Sequence, residues 1–197
     1  MWWLFAPRPT HGKDVLRELA RTPATRIADV PDGARRMISG TVGLDGPATN
    51  SGLTGRPCCA WVVTVDEVGM GDSVERGVVV QGVPFTLRDD SGQAHVIPDR
   101  ARIGVPGHIV LRYPRNALLD EERRLYTQLG VRLNYPDSSK LRFTERLILP
   151  GSQLRVYGYC QREPDHQAMD AEVSGYRGDV PTRPVLSSTR RAPLLLG

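Results

Sequence analysis

Cys58-Cys59-Ala60-Trp61-Val62-Val63-Thr64-Val65-Asp66-Glu67-Val68 is the stretch that decides the fold. Valine, threonine and tryptophan suit a pleated, half-buried surface. Cys59, Trp61, Val63 and Val65 recur at every second position, so an extended chain places them on one apolar face. Strand neighbours alternate, so Cys58 and Cys59 are not expected to point the same way, and Cys59 is assigned to the core. A loop precedes the strand, Ser51-Gly52-Leu53-Thr54-Gly55-Arg56-Pro57, and Glu75 to Gln81 supplies a pairing partner after it.

The same grammar continues in both directions. Upstream, Pro31-Asp32-Gly33 is a turn and Arg36 to Gly43 a strand. Residues 13 to 22 predict a short helix with Val15, Leu16, Leu19 and Ala20 as its apolar face, stopped by Pro23. Downstream, Gly82 and Pro84 break the chain. Pro84 to Asp89 and Gln93 to Pro98 then predict a hairpin, with Gly92 supplying a positive φ at its turn. Further strands are expected at Gly107 to Tyr113, Leu141 to Leu149, Gln153 to Gln161, Met169 to Gly175 and Arg183 to Leu186. A helix is expected at 116–129, capped by Asn116 and closed by Gly130. The fold class is mainly β with minor α: a small barrel-like or OB-like antiparallel β domain with an N-terminal helix and one inserted helix. Residues 1–22 form an apolar tip and helix, 23–189 the β domain, and 190–197 a loose tail.

Composition narrows the function classes. The 26 basic and 22 acidic residues give a net charge of +4, and Lys13 and Lys140 are the only lysines. The arginines are dispersed among the acids, which reads as a mixed solvated surface and argues against a nucleic-acid partner. Three cysteines, Cys58, Cys59 and Cys160, do not form a disulfide framework and point to a reducing compartment, the cytoplasm. Trp2, Trp3, Leu4 and Phe5 are too few to span a bilayer, which takes ~20 apolar residues. They suit a peripheral membrane contact, packing on the domain, or a partner contact.

The order of short motifs resembles the GIDE-type, or beside-a-membrane, domain of membrane-anchored RING ubiquitin ligases. Arg21 to Val30 resembles its lead-in, Gly40-Thr41-Val42 its first core strand, and Ser51 to Cys58, with Pro57 before Cys58, the entry to its next strand. Pro84-Phe85-Thr86-Leu87-Arg88-Asp89-Asp90-Ser91-Gly92 resembles its hairpin. Thr144 to Ser152, with Glu145, Pro150 and Gly151, and Leu154 to Gly158 resemble its close. The resemblance runs over residues 21 to 189 and implies a β-rich domain. RING activity is not implied, because a RING needs spaced pairs of Cys and His ligands that three cysteines cannot supply.

Candidate chemistry is sparse. Cys58 is the one nameable nucleophile, with His95 or His108 as its activator; otherwise it is a small buried hydrophobe. Neither the histidines, His11, His95, His108 and His166, nor the glycines carry a metal-site or phosphate-loop spacing, so no metal and no cofactor are expected. Asp89 and Asp90 read as turn chemistry, and Glu145 as half of a cross-strand pair with an arginine. The expectation is a non-catalytic recognition or scaffold domain that binds an unknown protein or ligand. An OB-like nucleic-acid module using Tyr113, Tyr126, Tyr157 and Tyr159 is the second reading, and an enzyme using Cys58 the third.

Overall fold

The computed structural model describes residues 12–68, 73–112, 120, 124–125, 127, 140–165 and 182–197. In chain order the elements are helix α1 (Lys13–Arg21), a 3-10 turn at Ile27–Asp29, and strands β1 (Ala34–Leu44), β2 (Thr49–Asn50), β3 (Pro57–Cys58), β4 (Ala60–Val68) and β5 (Ser73–Gly82). Next come β6 (Phe85–Arg88), β7 (Gln93–Val96), β8 (Arg102–Ile103), β9 (Gly107–Arg112) and β10 (Lys140–Ile148). β11 (Gln153–Pro164), β12 (Thr182–Ser187) and β13 (Leu195–Leu196) complete the described strands.

Five of these close a barrel. β1 pairs with β6, β6 with β7, β7 with β12, β12 with β11, and β11 returns to β1. Counted along the barrel strands alone, the order is 1-2-3-5-4-1, a five-stranded OB-like arrangement. The expectation of a small, mainly β barrel therefore holds. Its pairing is mostly antiparallel, as expected, and the structure adds two parallel pairs, β7–β12 and β8–β13. The long excursion between β7 and β12 returns the chain in the same sense, which a tight hairpin cannot do.

Period-two patterning fills the barrel. Ile38 and Val42 on β1, Phe85 and Leu87 on β6, Ala94 and Val96 on β7, and Leu154 and Val156 on β11 all point inward. From the two insertions, β2–β5 and β8–β10, strands β4, β5, β9 and β10 combine into a second sheet of order β5-β4-β10-β9, while β2 and β3 pair with each other and β8 joins the barrel sheet through β13. β4 lies between two cores. Ala60 and Val62 join the barrel core, whereas Trp61, Val63 and Val65 join a second core with Leu125, Leu141 and Phe143. A strand covered on both faces reads as a near-continuous apolar run, as this one does.

That double burial corrects the cysteine assignment. Cys59 sits at a bend between β3 and β4 and packs with Ala60 and Val62, while Cys58 packs with Trp61 and Val63. Both are fully buried, because each face of the segment meets a core.

Other expectations need smaller corrections. On α1 only Val15 and Leu19 are buried; Leu16 and Ala20 are exposed. The helix ends at Arg21 with Thr22 extended, as Pro23 requires. Of the helix expected at 116–129, Asp120, Arg124, Leu125 and Thr127 are helical, and its other residues lie outside the described ones. So do Met169–Gly175 and the Trp2–Phe5 tip. The tail expected to be loose is instead bound. Leu194, Leu195 and Leu196 are buried, and β13 pairs with β11 and β8, because the three leucines fill space between the barrel and α1.

Candidate functional site

The outer face of β1, β6 and β7 gathers polar side chains that the barrel interior excludes. Alternation sets this pattern: with Phe85, Leu87, Ala94 and Val96 inside, Thr86, Arg88, Gln93 and His95 must face out. Thr41 and Gly43 join them from β1, and Asp45 stands just past its end. Gly43 is needed here, since a Cβ on it would collide with Thr86 Oγ1 at 2.5 Å.

Two adjoining hollows make this face a groove. One, of about 480 Å³, is lined by Thr41, Gly43, Asp45, Thr86, Arg88 and Gln93 among others. The other, of about 440 Å³, is lined by Ser39, Gly40, Thr41, Arg88, Asp89, Asp90 and Gln153. Thr41 and Arg88 belong to both. Arg88 Nη2 donates to Gln93 Oε1 at 2.8 Å, and Gln153 Nε2 donates to Thr41 Oγ1 at 2.7 Å. The lining offers hydroxyl, amide, guanidinium and carboxylate groups and no aromatic ring.

His95 sits at the edge of this face, buried to 5% exposure. Its Nδ1 is 2.9 Å from Asp45 Oδ2, and its Nε2 is 2.8 Å from Arg183 Nη1. Arginine only donates, so Nε2 must accept; the proton is then on Nδ1 and is donated to Asp45. Burial, followed by the charge of Arg183, holds the imidazole pKa below its ordinary value, against the opposing pull of Asp45, Asp165 and Glu163. Both ring nitrogens are occupied, so His95 ties three elements together and has no free lone pair for proton abstraction.

The residues singled out in the sequence do not assemble at this face as a group. Most serve the fold. Gly40 lets β1 approach the Arg88 backbone, and Gly158 leaves room for Leu194. Phe85 is fully buried, Pro84 precedes its strand, and Pro57 pairs with Asn50. Pro150-Gly151 is a turn with Gly151 at φ +79 and Ser152 N–H donating to Leu149 O. Asp89 builds the β6–β7 turn: Oδ1 accepts from Ser91 N, Ser91 Oγ and Gly92 N, and Oδ2 accepts from Ile27 N. Burial alone would raise the Asp89 pKa, but these hydrogen bonds outweigh it and hold the carboxyl below the usual range. Gly92 does not have the positive φ expected of it, because the Asp89 side chain supplies the turn instead.

Glu145 was expected to pair with an arginine. It is instead buried and accepts from Leu53 N at 2.8 Å, Thr54 N at 3.4 Å and Thr54 Oγ1 at 2.6 Å. It is the anchor of the 51–56 loop. Cys58 lies nearby, and burial, with smaller contributions from Cys59 and Glu145, pushes its thiol up to about 11 against the opposing charge of Arg56. Burial does the same to Cys59. His95 is committed elsewhere, and His108 is exposed on β9. A thiol so placed stays protonated at neutral pH and is a poor nucleophile.

Comparison of the chain with family models, curated proteins and solved structures returns no match. Among the described residues, no helix is long and apolar enough to cross a membrane, and no group of three or more His, Cys, Asp or Glu is arranged to hold a metal.

Sequence reasoning missed Asp45, Thr86, Arg88, Gln93 and Arg183 as site residues. Thr86, Arg88 and Gln93 were within reach, being the outward positions of a hairpin whose inward positions are apolar. Asp45 and Arg183 carry no local signal, since only barrel closure brings them to His95.

Proposed function

We propose that this chain is a non-catalytic recognition or scaffold domain, related to the GIDE type, that holds an extended segment of a protein partner across β1 and β6. The groove over Thr41 and Arg88 carries this reading. In OB-like barrels the second and third strands and adjacent loops form the usual ligand face, and β6 and β7 are those strands here. Mixed donors and acceptors without stacking rings suit a peptide backbone and polar side chains better than nucleobases, which bind through aromatic platforms. Tyr157, one of the rings considered for stacking, lies under Arg35 at 4.2 Å and is packed near α1. The buried, protonated Cys58 argues against a thiol enzyme. Three free, buried cysteines support a reducing compartment such as the cytoplasm.

The test is selection of binders from a random peptide display library on the purified chain, followed by titration against Arg88→Ala and Thr41→Ala. At least a tenfold loss of affinity is expected for each variant. Peptides indifferent to both substitutions would overturn the placement. Ubiquitin discharge from a conjugating enzyme by the chain alone would overturn the non-catalytic reading.

A further inference from the structure

The Asp45–His95–Arg183 chain is built from three separate parts of the fold, and its hydrogen-bond directions are fixed by chemistry. Arg183 Nη1 donates to Nε2, and Nδ1–H donates to Asp45. The chain works only while the imidazole is neutral. A second ring proton would sit on Nε2 and face an arginine N–H across 2.8 Å, donor against donor and cation against cation. Asp45 would gain from the same proton, because its hydrogen bond becomes charge-assisted. The two ends of the chain therefore respond oppositely to acid.

We propose that His95 is an acid-operated switch on the groove face: protonation of Nε2 expels Arg183, keeps Asp45, and adds a positive charge beside the groove. Among the described residues the buried Arg183 Nε has no hydrogen-bond partner, so the contact to His95 Nε2 is not reinforced at that atom. It also has somewhere to go, because Glu163 is its register partner on β11. The charged groups around the imidazole are Asp45 beyond β1, Arg183 on β12, Glu163 on β11 and Asp165 just after it. From β6 the register partner is the neutral Thr86, with Arg88 two residues further along that strand. The three carboxylates favour the imidazolium, while Arg183 and burial oppose it. Removing Arg183 from Nε2 weakens the opposition, so protonation and departure reinforce each other. Because Asp45 lines the groove, the change alters the charge met by a bound segment and favours acidic ones at low pH.

The switch is tested without any ligand, so its failure is distinguishable from failure of the recognition reading. Nitrogen-resolved NMR of the imidazoles in the full chain, titrated from about pH 8 to 4, should show His95 as the Nδ1–H tautomer at neutral pH. Its midpoint should fall below the ordinary imidazole value, and the Arg183 Nε–H signal should move with that same midpoint. Arg183→Gln should raise the midpoint and Asp45→Asn should lower it. Linkage gives the stability its sign: with the folded pKa depressed, the contribution is complete above the unfolded imidazole value and is lost as pH falls below it. An Nε2–H tautomer at neutral pH, or an Arg183 signal that ignores the His95 titration, overturns the switch. So does a midpoint unmoved by Arg183→Gln. If that variant does not fold, the tautomer and the shared midpoint of the unsubstituted chain decide alone.

Discussion

Glu145 shows what a single buried carboxylate does in this molecule. It lies on β10 with 1% exposure, and its acceptors are used by the backbone and hydroxyl donors of Leu53 and Thr54. Those donors belong to the 51–56 loop, where Leu53 packs on the second core and Gly52 lies against the Trp61 ring. Replacing Glu145 by Ala takes the acceptor from the half-buried Leu53 amide, a loss that costs about 1–3 kcal/mol, while the exposed Thr54 can turn to water. Glu145→Ala should therefore lower unfolding stability by about 2 kcal/mol in a urea titration, with the Leu53 amide losing exchange protection. A variant as stable as the parent would show that the loop holds itself. At this scale the sequence was informative about importance and less so about role. Cys58, Glu145 and Asp89 stood out inside their motifs. Their partners, however, are set by which loop or strand the fold brings near, so Glu145 took amides and a hydroxyl where an arginine was expected.

Elements were easier to read, because period two and turn residues are local. The β6–β7 and β10–β11 connections nevertheless use opposite devices. At β10–β11 the backbone of Gly151 is left-handed at φ +79, which a side chain resists. At β6–β7 the Asp89 carboxylate collects the local N–H groups, and a Cβ on Gly92 would meet only Ile27 Cγ2 at 3.7 Å, an ordinary contact. Gly151→Ala should thus cost about 1 kcal/mol, whereas Gly92→Ala should be near neutral. Paired thermal melts check this, and a larger loss for Gly92→Ala than for Gly151→Ala would refute the distinction. Both glycines looked alike in the sequence. Only the hydrogen bonds of Asp89, one of which reaches back to Ile27, separate them. The face of α1 was likewise overdrawn: Leu16 and Ala20 fit the spacing, but the helix meets the body over a narrow strip around Val15 and Leu19.

The whole molecule is a barrel whose two insertions build a second sheet and whose last residues complete both its wall and its core. This part of the architecture was invisible to local reading, because a short Leu-Leu-Leu run before Gly197 resembles a frayed end. Leu194 and Leu196 enter the barrel core, while Leu195 packs with Val15, Leu19 and Met37 under α1. The backbone is engaged as well: Arg102 N donates to Leu194 O, Gly104 N to Leu196 O, and Arg155 and Gly197 exchange two hydrogen bonds. Burying a leucine contributes roughly 1.5–3 kcal/mol, so three contribute about 6 kcal/mol. That is comparable to the whole stability of an ordinary domain, roughly 5–15 kcal/mol. Removal of residues 194–197 should therefore leave a chain that has lost cooperative melting, or whose midpoint falls by well over 10 °C. Leu195→Ala alone, which opens only the contact beneath α1, should cost about 3 kcal/mol and keep the barrel amides protected. Circular dichroism melts of both variants, with amide exchange on β11 and β8, measure this directly. If the truncated chain melted like the parent, the tail would be a passenger and barrel closure would owe nothing to it. If Leu195→Ala exposed the barrel amides too, the patch under α1 and the barrel core would behave as one cooperative unit.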